Sequence, residues 1–349
     1  IPVGALSLFL TSMLVHDPPY LKRTSLKEGA SIDFIGIGLL TVGLGFLEIT
    51  LDEGQRQDWF SSNLILISAF IAAFSLVAVV WWELRHEHPV IDLRLLKDRN
   101  FAVSTLNMFV LGFILYGSTA ALPMFLQSLL GYTAMQSGMA LSPGGLVIMA
   151  MMPLVGALLG KFQARWLVIF GMVVSSTGLF MMTHWNLQIA FSNAVTARMV
   201  QSLGLAFLFV PINTMAFAAI SREKTGYATG IMNLARNVGG SAGIAIVTTL
   251  LARRSQYHQS VLVSNLTNLN STYQSYLQGL SARFMQGGAD AVQAAKQAQG
   301  MLYGMVQRQA AMLAFIDIFW ILGIIFLCLI PLMFLMKPVK PQRGAVMAE

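Results

Sequence analysis

Apolar residues in this chain gather into long runs separated by short polar gaps. The runs cover residues 34–51, 64–82, 101–125, 137–159, 166–182, 191–220, 228–251 and 310–336. A helix of about 20 apolar residues crosses a hydrocarbon core of about 30 Å. The pattern therefore predicts eight full membrane spans and an all-α polytopic membrane protein. Residues 1–15 form one further apolar run, stopped by His16-Asp17-Pro18-Pro19. As a helix it reaches only about 22 Å. We read it as the end of a truncated span, and the sequence as part of a longer chain.

One stretch, 198–251, departs from uniform apolarity. Its two runs meet at the polar hinge Ser221-Arg222-Glu223-Lys224, and they hold Gln201, Asn213, Asn233, Arg236 and Asn237. Polar groups at bilayer depth are costly, so they line water-filled paths or bond to one another. That points to a pathway through the helices.

Composition sharpens the class. Hydrophobic residues make up 56% of the chain and charged residues 11%, against about 25% charged in a soluble domain. The net charge of +7 is not a nucleic-acid footprint, because the basic residues fall in the gaps between runs. Numbering the gaps alternately puts fourteen Lys and Arg on one side and six on the other, most of the six in the long gap 253–308. The positive-inside bias places the fourteen in the cytoplasm. Trp59, Trp81 and Trp82 stand at run ends, where aromatic rings suit the interface. The single cysteine, Cys328, excludes a disulfide framework within the chain.

The gap 253–308 is rich in Gln, Ser and Asn. Tyr273, Tyr276, Leu277, Leu280 and Phe284 recur at helical spacing, and 289–299 has a helix-favouring composition. Two readings stay open: solvated helical extensions of the flanking spans, or a docking surface for an external partner. The triplets at Asn265 and Asn270 match the glycosylation pattern, which is common by chance.

No catalytic constellation stands out. A His-Glu-x-x-His zinc signature and a phosphate-binding Gly-Lys-Ser/Thr loop are missing from the sequence, and the Gly-x-Ser-x-Gly match at 239–243 lies within an apolar run rather than at a strand-to-helix elbow. The chain does not read as an enzyme or an ATP-driven pump. His86-Glu87-His88 has no third ligand nearby, so no metal is expected.

Several stretches resemble a known family. Leu51-Asp52-Glu53-Gly54 with Asp58-Trp59-Phe60, then His88-Pro89-Val90-Ile91-Asp92-Leu93 and Arg99-Asn100-Phe101, resemble EmrB/QacA-type drug:proton antiporters, the fourteen-span branch of the major facilitator superfamily. Asn233-Leu234-Ala235-Arg236 with Gly239-Gly240-Ser241-Ala242-Gly243 is similar to that family's thirteenth span. Ile1-Pro2-Val3-Gly4 is similar to the end of its span-six signature.

The resemblance implies a chain running from span six to span fourteen. Residues 1–15 would end span six and 16–33 would be a cytoplasmic linker. The runs within 34–82 would be the two extra central spans, and 83–100 a second cytoplasmic linker. Residues 101–336 would form the C-terminal six-helix bundle, with 253–308 as a long periplasmic loop and 337–349 as a cytoplasmic tail. The implied function is export of hydrophobic or amphipathic toxic compounds in exchange for protons, by alternating access. No cofactor is implied; the proton gradient supplies the energy. The implied location is the bacterial inner membrane. A periplasmic adaptor and an outer-membrane channel are implied partners in a double-membrane cell. A solute symporter of the same superfamily and a non-transporting scaffold are the alternatives.

Such a transporter needs an intramembrane group that gains and loses a proton. Asp33, Glu48 and Asp317 are the acids in or near spans. Asp33 suits an interfacial helix cap; Asp317 and Glu48 are the coupling candidates. Substrate-lining candidates, by resemblance, are Asn107, Tyr116, Met124 and Phe125 on one run and Gln201, Phe209, Asn213 and Phe217 on another. Arg198 reads as a snorkelling side chain. Arg236, Gly239 and Gly240 are assigned to packing or gating, together with Pro143 and Pro153, which interrupt their run.

Overall fold

The computed structural model describes residues 2–14, 33–86, 89–218, 220–267 and 269–337. Most of the expected 16–33 linker, the Glu87-His88 part of the His-Glu-His group, and the tail from 338 lie outside the described residues. Among the described residues the regular structure is helical: α1 (Pro2–Leu14), α2 (Phe34–Glu53), α3 (Asn63–Glu83), α4 (Arg99–Ser128), α5 (Ala134–Leu159), α6 (Ala164–Thr183), α7 (Phe191–Phe217), α8 (Thr225–Val263), α9 (Ser271–Gln286) and α10 (Ala291–Phe334). Eight of these, all but α1 and α9, are long and apolar enough to cross a membrane. The protein is an all-α polytopic membrane protein.

Local chemistry sets several helix starts. Asp98 caps α4 by accepting from the Phe101 N–H at 2.9 Å. Thr133 and Gln136 form a capping box at the head of α5. Asp290 caps α10 by accepting from the Gln293 N–H at 2.7 Å. Each cap satisfies a backbone donor that the helix itself leaves free.

Helices α4 to α8 and α10 form one bundle. In it α4 packs along α8, α6 along α7, α5 along α7, and α10 lies against both α6 and α8. The α2–α3 pair packs on itself, and α2 also touches α8. Glycines let two of the crossings close to backbone contact. A Cβ on Gly112 would run into the Arg236 carbonyl, and one on Gly239 or Gly243 into the carbonyls of Phe109 or Phe113. Gly171, Gly178 and Gly204 do the same for α6 and α7. Small residues serve this purpose in membranes, where burial in lipid provides little drive for helix association.

One expectation needs correction. Pro143 and Pro153 do not break their run, since α5 is continuous through both. Each proline removes one backbone donor, and the rest of the helical ladder carries on. The stretch 253–308 is largely helical, in keeping with the reading of it as helical extensions of the flanking spans: α8 has 39 residues and α10 has 44. At 1.5 Å per residue they reach about 58 Å and about 66 Å, well beyond a hydrocarbon core of about 30 Å. Both overrun the membrane at the same end, where α9 joins them.

The other end of the bundle is the basic one, and polar contacts tie it together. The Asn100 amide donates to the Lys337 carbonyl at 3.2 Å, and its oxygen accepts from the Lys337 N–H at 2.8 Å. Arg165 donates to the Met336 carbonyl. Lys224, at the entry to α8, donates to Asp92 at 2.8 Å.

Candidate functional site

Asp317 sits seven residues inside the last apolar run, about 10 Å along α10 from the run's start. Phe315, Ile318 and Phe319 around it are buried. Its carboxylate is met from α8. Oδ2 accepts from Arg254 Nε at 2.7 Å and lies 2.7 Å from His258 Nε2. Arg254 and His258 are one helical turn apart, so a single face of α8 presents both to the same oxygen. Arg254 also lies over the Tyr257 ring, 5.3 Å from its centroid. The carboxylate is thus held between a permanent cation and an ionisable imidazole. The sequence reading singled out Asp317 but missed both partners, because they lie just past the end of their own apolar run. The available signal was Arg254 and His258 at an i, i+4 spacing on a helix that had not ended.

A second polar cluster lies in the bundle core. Arg198 is 6% exposed. Its Nη1 donates to Gln201 Oε1 at 2.9 Å and to Ser118 Oγ at 3.3 Å, and its Nη2 donates to Thr119 Oγ1 at 2.9 Å. Gln201 in turn donates to Ser118 Oγ at 2.9 Å. Arg198 therefore does not snorkel; it joins α7 to α4 through the bundle interior. Gln201, expected to face ligand, is fully buried in this network.

The remaining substrate candidates divide by exposure. Tyr116 and Met124 are exposed, at 39% each. Phe209, Asn213 and Phe217 are half-buried along α7, and the Asn213 amide donates to the Phe209 carbonyl at 2.9 Å. Asn107 is buried, donating to the Val103 carbonyl at 2.8 Å with its own Oδ1 unpartnered. Phe125 is a core ring, stacked on Trp185 at 5.4 Å and edge-on to Phe315 at 5.4 Å. Gln201, Asn107 and Phe125 thus belong to the bundle interior rather than to an open wall in this conformation. Asn107 and Phe125 share a run with Tyr116 but are buried where Tyr116 is exposed, and Gln201 lies on α7.

Arg236 donates to Asn233 on its own helix at 3.1 Å, while its Nε is buried without a partner. With Gly239 and Gly240 it lies in the α4–α8 seam, where Gly240 abuts the Tyr116 ring. Glu48 stands exposed on α2 with no hydrogen-bond or ion-pair partner among the described residues. Sequence reasoning also passed over an exposed face of α5 bearing Met135, Met139, Leu146 and Met149. Its signal was the spacing of four, seven and three residues, which keeps one side of a helix. Among the described residues, no three metal-ligating side chains come together.

Comparison with known proteins bears on the family. A model described as Major Facilitator Superfamily matches residues 2–244. The chain belongs to the major facilitator superfamily. It is 28% identical over 339 residues to a multidrug export protein, EmrB, of Escherichia coli strain K12, covering 97% of this chain and 64% of that protein. It is 30% identical over 340 residues to a fatty acid resistance protein, FarB, of Neisseria gonorrhoeae, with the same coverage of each. A colistin resistance protein, EmrB, of Acinetobacter baumannii is 25% identical over 316 residues, covering 90% of this chain and 61% of that relative. The chain spans somewhat under two thirds of the length of these relatives. Its spans and relatives make this superfamily member a multi-pass protein of the bacterial inner membrane.

Proposed function

We propose that this superfamily member takes part in exporting hydrophobic or amphipathic toxic compounds in exchange for protons, by alternating access. Likeness to relatives named for multidrug export and resistance supports the substrate class. One observation carries the proton half: a single Asp317 oxygen is shared by Arg254 and His258 within the bundle. In the protonated state Asp317 releases its hold on Arg254 and on α8. In the ionised state it clamps α8 to α10. A proton thereby exchanges for a helix–helix contact, which is what a coupled rocking motion requires.

The exposed wall of Tyr116 and Met124, with the methionine face of α5, supplies adaptable apolar contact. Methionine repacks around differently shaped ligands. We assign Arg236, Gly239 and Gly240 to the seam on which α8 moves against α4.

The test uses the full-length protein in liposomes under an imposed pH gradient, with a fluorescent lipophilic dye as substrate. Asp317→Asn is expected to bind dye while losing gradient-driven transport by about a hundredfold. Full coupled transport by that variant overturns the proton assignment. In a double-membrane cell the α8–α9–α10 extension is the surface we assign to a periplasmic adaptor leading to an outer-membrane channel. Removal of Ser271–Gln286 should abolish adaptor capture, and undiminished capture overturns that assignment.

A further inference from the structure

The α2–α3 pair carries a second acidic feature, separate from the bundle and from Asp317. Asp33 caps α2: its Oδ1 accepts from the Gly36 N–H at 2.8 Å. The Trp82 indole donates to both Asp33 oxygens at 3.0 Å. Glu83 ends α3, and its Oε2 accepts from the Ile91 N–H at 3.3 Å. Its other oxygen, Oε1, is buried with no hydrogen-bond partner. Asp33 is 7% exposed and Glu83 is 1% exposed.

The two carboxyls share one niche above Gly36. A Cβ at Gly36 would collide with Asp33 Oδ2 and stand 2.8 Å from Glu83 Oε1. The orphaned Glu83 oxygen and the Asp33 oxygen that the helix cap leaves over therefore crowd the same point above Gly36. Among the described residues no cation pairs with either group. His86, whose charge when protonated reaches Glu83, stacks on Trp82, with ring centroids 5.4 Å apart. Arg94 directs its guanidinium to the carbonyls of Leu84 and His86, at 3.0 and 3.2 Å. Lys224 is engaged by Asp92.

Two ionised carboxylates here would repel each other with little water to screen them, and one oxygen would remain desolvated and unpaired. A single proton removes both penalties and creates a charge-assisted O–H···O bond. We propose that Asp33 and Glu83 form a proton-binding pair, in which Glu83 Oε1 holds the proton and donates it to Asp33 Oδ2. The pair also sits at a junction. Glu83 anchors the linker at Ile91, and the next residue, Asp92, anchors Lys224 at the entry to α8. Loss of the proton adds a negative charge where the α2–α3 pair, the linker and the bundle meet.

The proposal does not depend on the transport reading, and one experiment separates the two. Infrared difference spectra of the membrane-embedded protein at neutral pH should show the C=O band of a protonated carboxyl. The band should vanish in Glu83→Gln, whose amide can donate to Asp33 in the proton's place and so keep the fold. It should also vanish in Asp33→Asn and persist in Asp317→Asn. A wild-type spectrum with no band that Glu83→Gln removes overturns the proposal. Thermal unfolding gives a second readout. Wild-type stability should fall as pH rises through the disappearance of the band, because the folded state holds the proton more tightly than the unfolded chain. Glu83→Gln should remove that slope. A slope unchanged in Glu83→Gln overturns the proposal as well.

Discussion

Nε2 of His258 lies 2.7 Å from Oδ2 of Asp317, an oxygen that Arg254 also reaches at 2.7 Å. Two donors on one carboxylate oxygen make the α8–α10 contact depend on which of the three groups carries a proton. Arg254 stays charged, so the imidazole and the carboxyl are the groups that can change. His258→Gln keeps a donor near Asp317 but removes a titrating group. Transport measured over a pH series should persist in that variant and lose part of its pH dependence. An unchanged profile would remove His258 from the coupling unit.

The α4–α8 seam rests on glycine, and that is testable on stability alone. Gly239→Ala places a methyl group against the Phe109 carbonyl. We expect a loss of about 1–3 kcal/mol, the usual cost of forcing atoms into a filled contact. Gly138 faces open space on α5. Gly138→Ala should leave stability unchanged or raise it by up to about 1 kcal/mol, since alanine is the better helix former where space is open. Thermal unfolding in detergent of the two variants side by side checks both numbers.

Arg198 spreads two guanidinium nitrogens over Ser118, Thr119 and Gln201. A lysine ammonium is a single point and lacks that fork. Arg198→Lys should leave at least one buried partner unmatched and cost about 1–3 kcal/mol. Parental stability in the variant would mean that the network contributes nothing to holding α7 on α4.

Tyr116 and Phe125 lie on one helix, and their variants should behave differently. Tyr116→Ala and Met124→Ala should change efflux of individual compounds several-fold; Met124→Ala should stay within about 0.5 kcal/mol of the parent, while Tyr116→Ala also gives up the ring's contact with Gly240 in the α4–α8 seam. Phe125→Ala opens a cavity among Trp185 and Phe315 and should cost about 3–5 kcal/mol. Parallel measurements of efflux and unfolding distinguish wall from core. A Phe125→Ala protein of normal stability with an altered compound profile would place that ring in the wall after all.

Much of the architecture was legible in the chain because lipid imposes a simple rule. Apolar length sets a span, and a run such as 64–82 becomes α3 with almost no adjustment. Where the sequence reading erred, the rule was silent. Prolines at 143 and 153 read as breaks, yet a membrane helix keeps its ladder because lipid offers a broken backbone no substitute partner. The polar residues after Leu251, read as helical extensions or a docking surface, do continue the helix, since water tolerates a helix as well as a coil: α8 runs on to Val263.

The chain by itself determined the class, the number of spans, the family resemblance and the presence of a carboxyl at Asp317. Each of these depends on residue identity summed along a segment. Only the tertiary structure decided which polar groups meet. It brought Arg254 and His258 of α8 onto Asp317, drew Gln201 into the bundle core with Arg198, and set Glu83 facing Asp33 across Gly36. The long-range contacts among them join residues 50 to 83 positions apart: 33 with 83, 254 with 317, 118 with 201. They depend on the rotation of each helix about its axis. That rotation is fixed by side-chain packing between helices, and a run that is apolar on every side carries almost no trace of it.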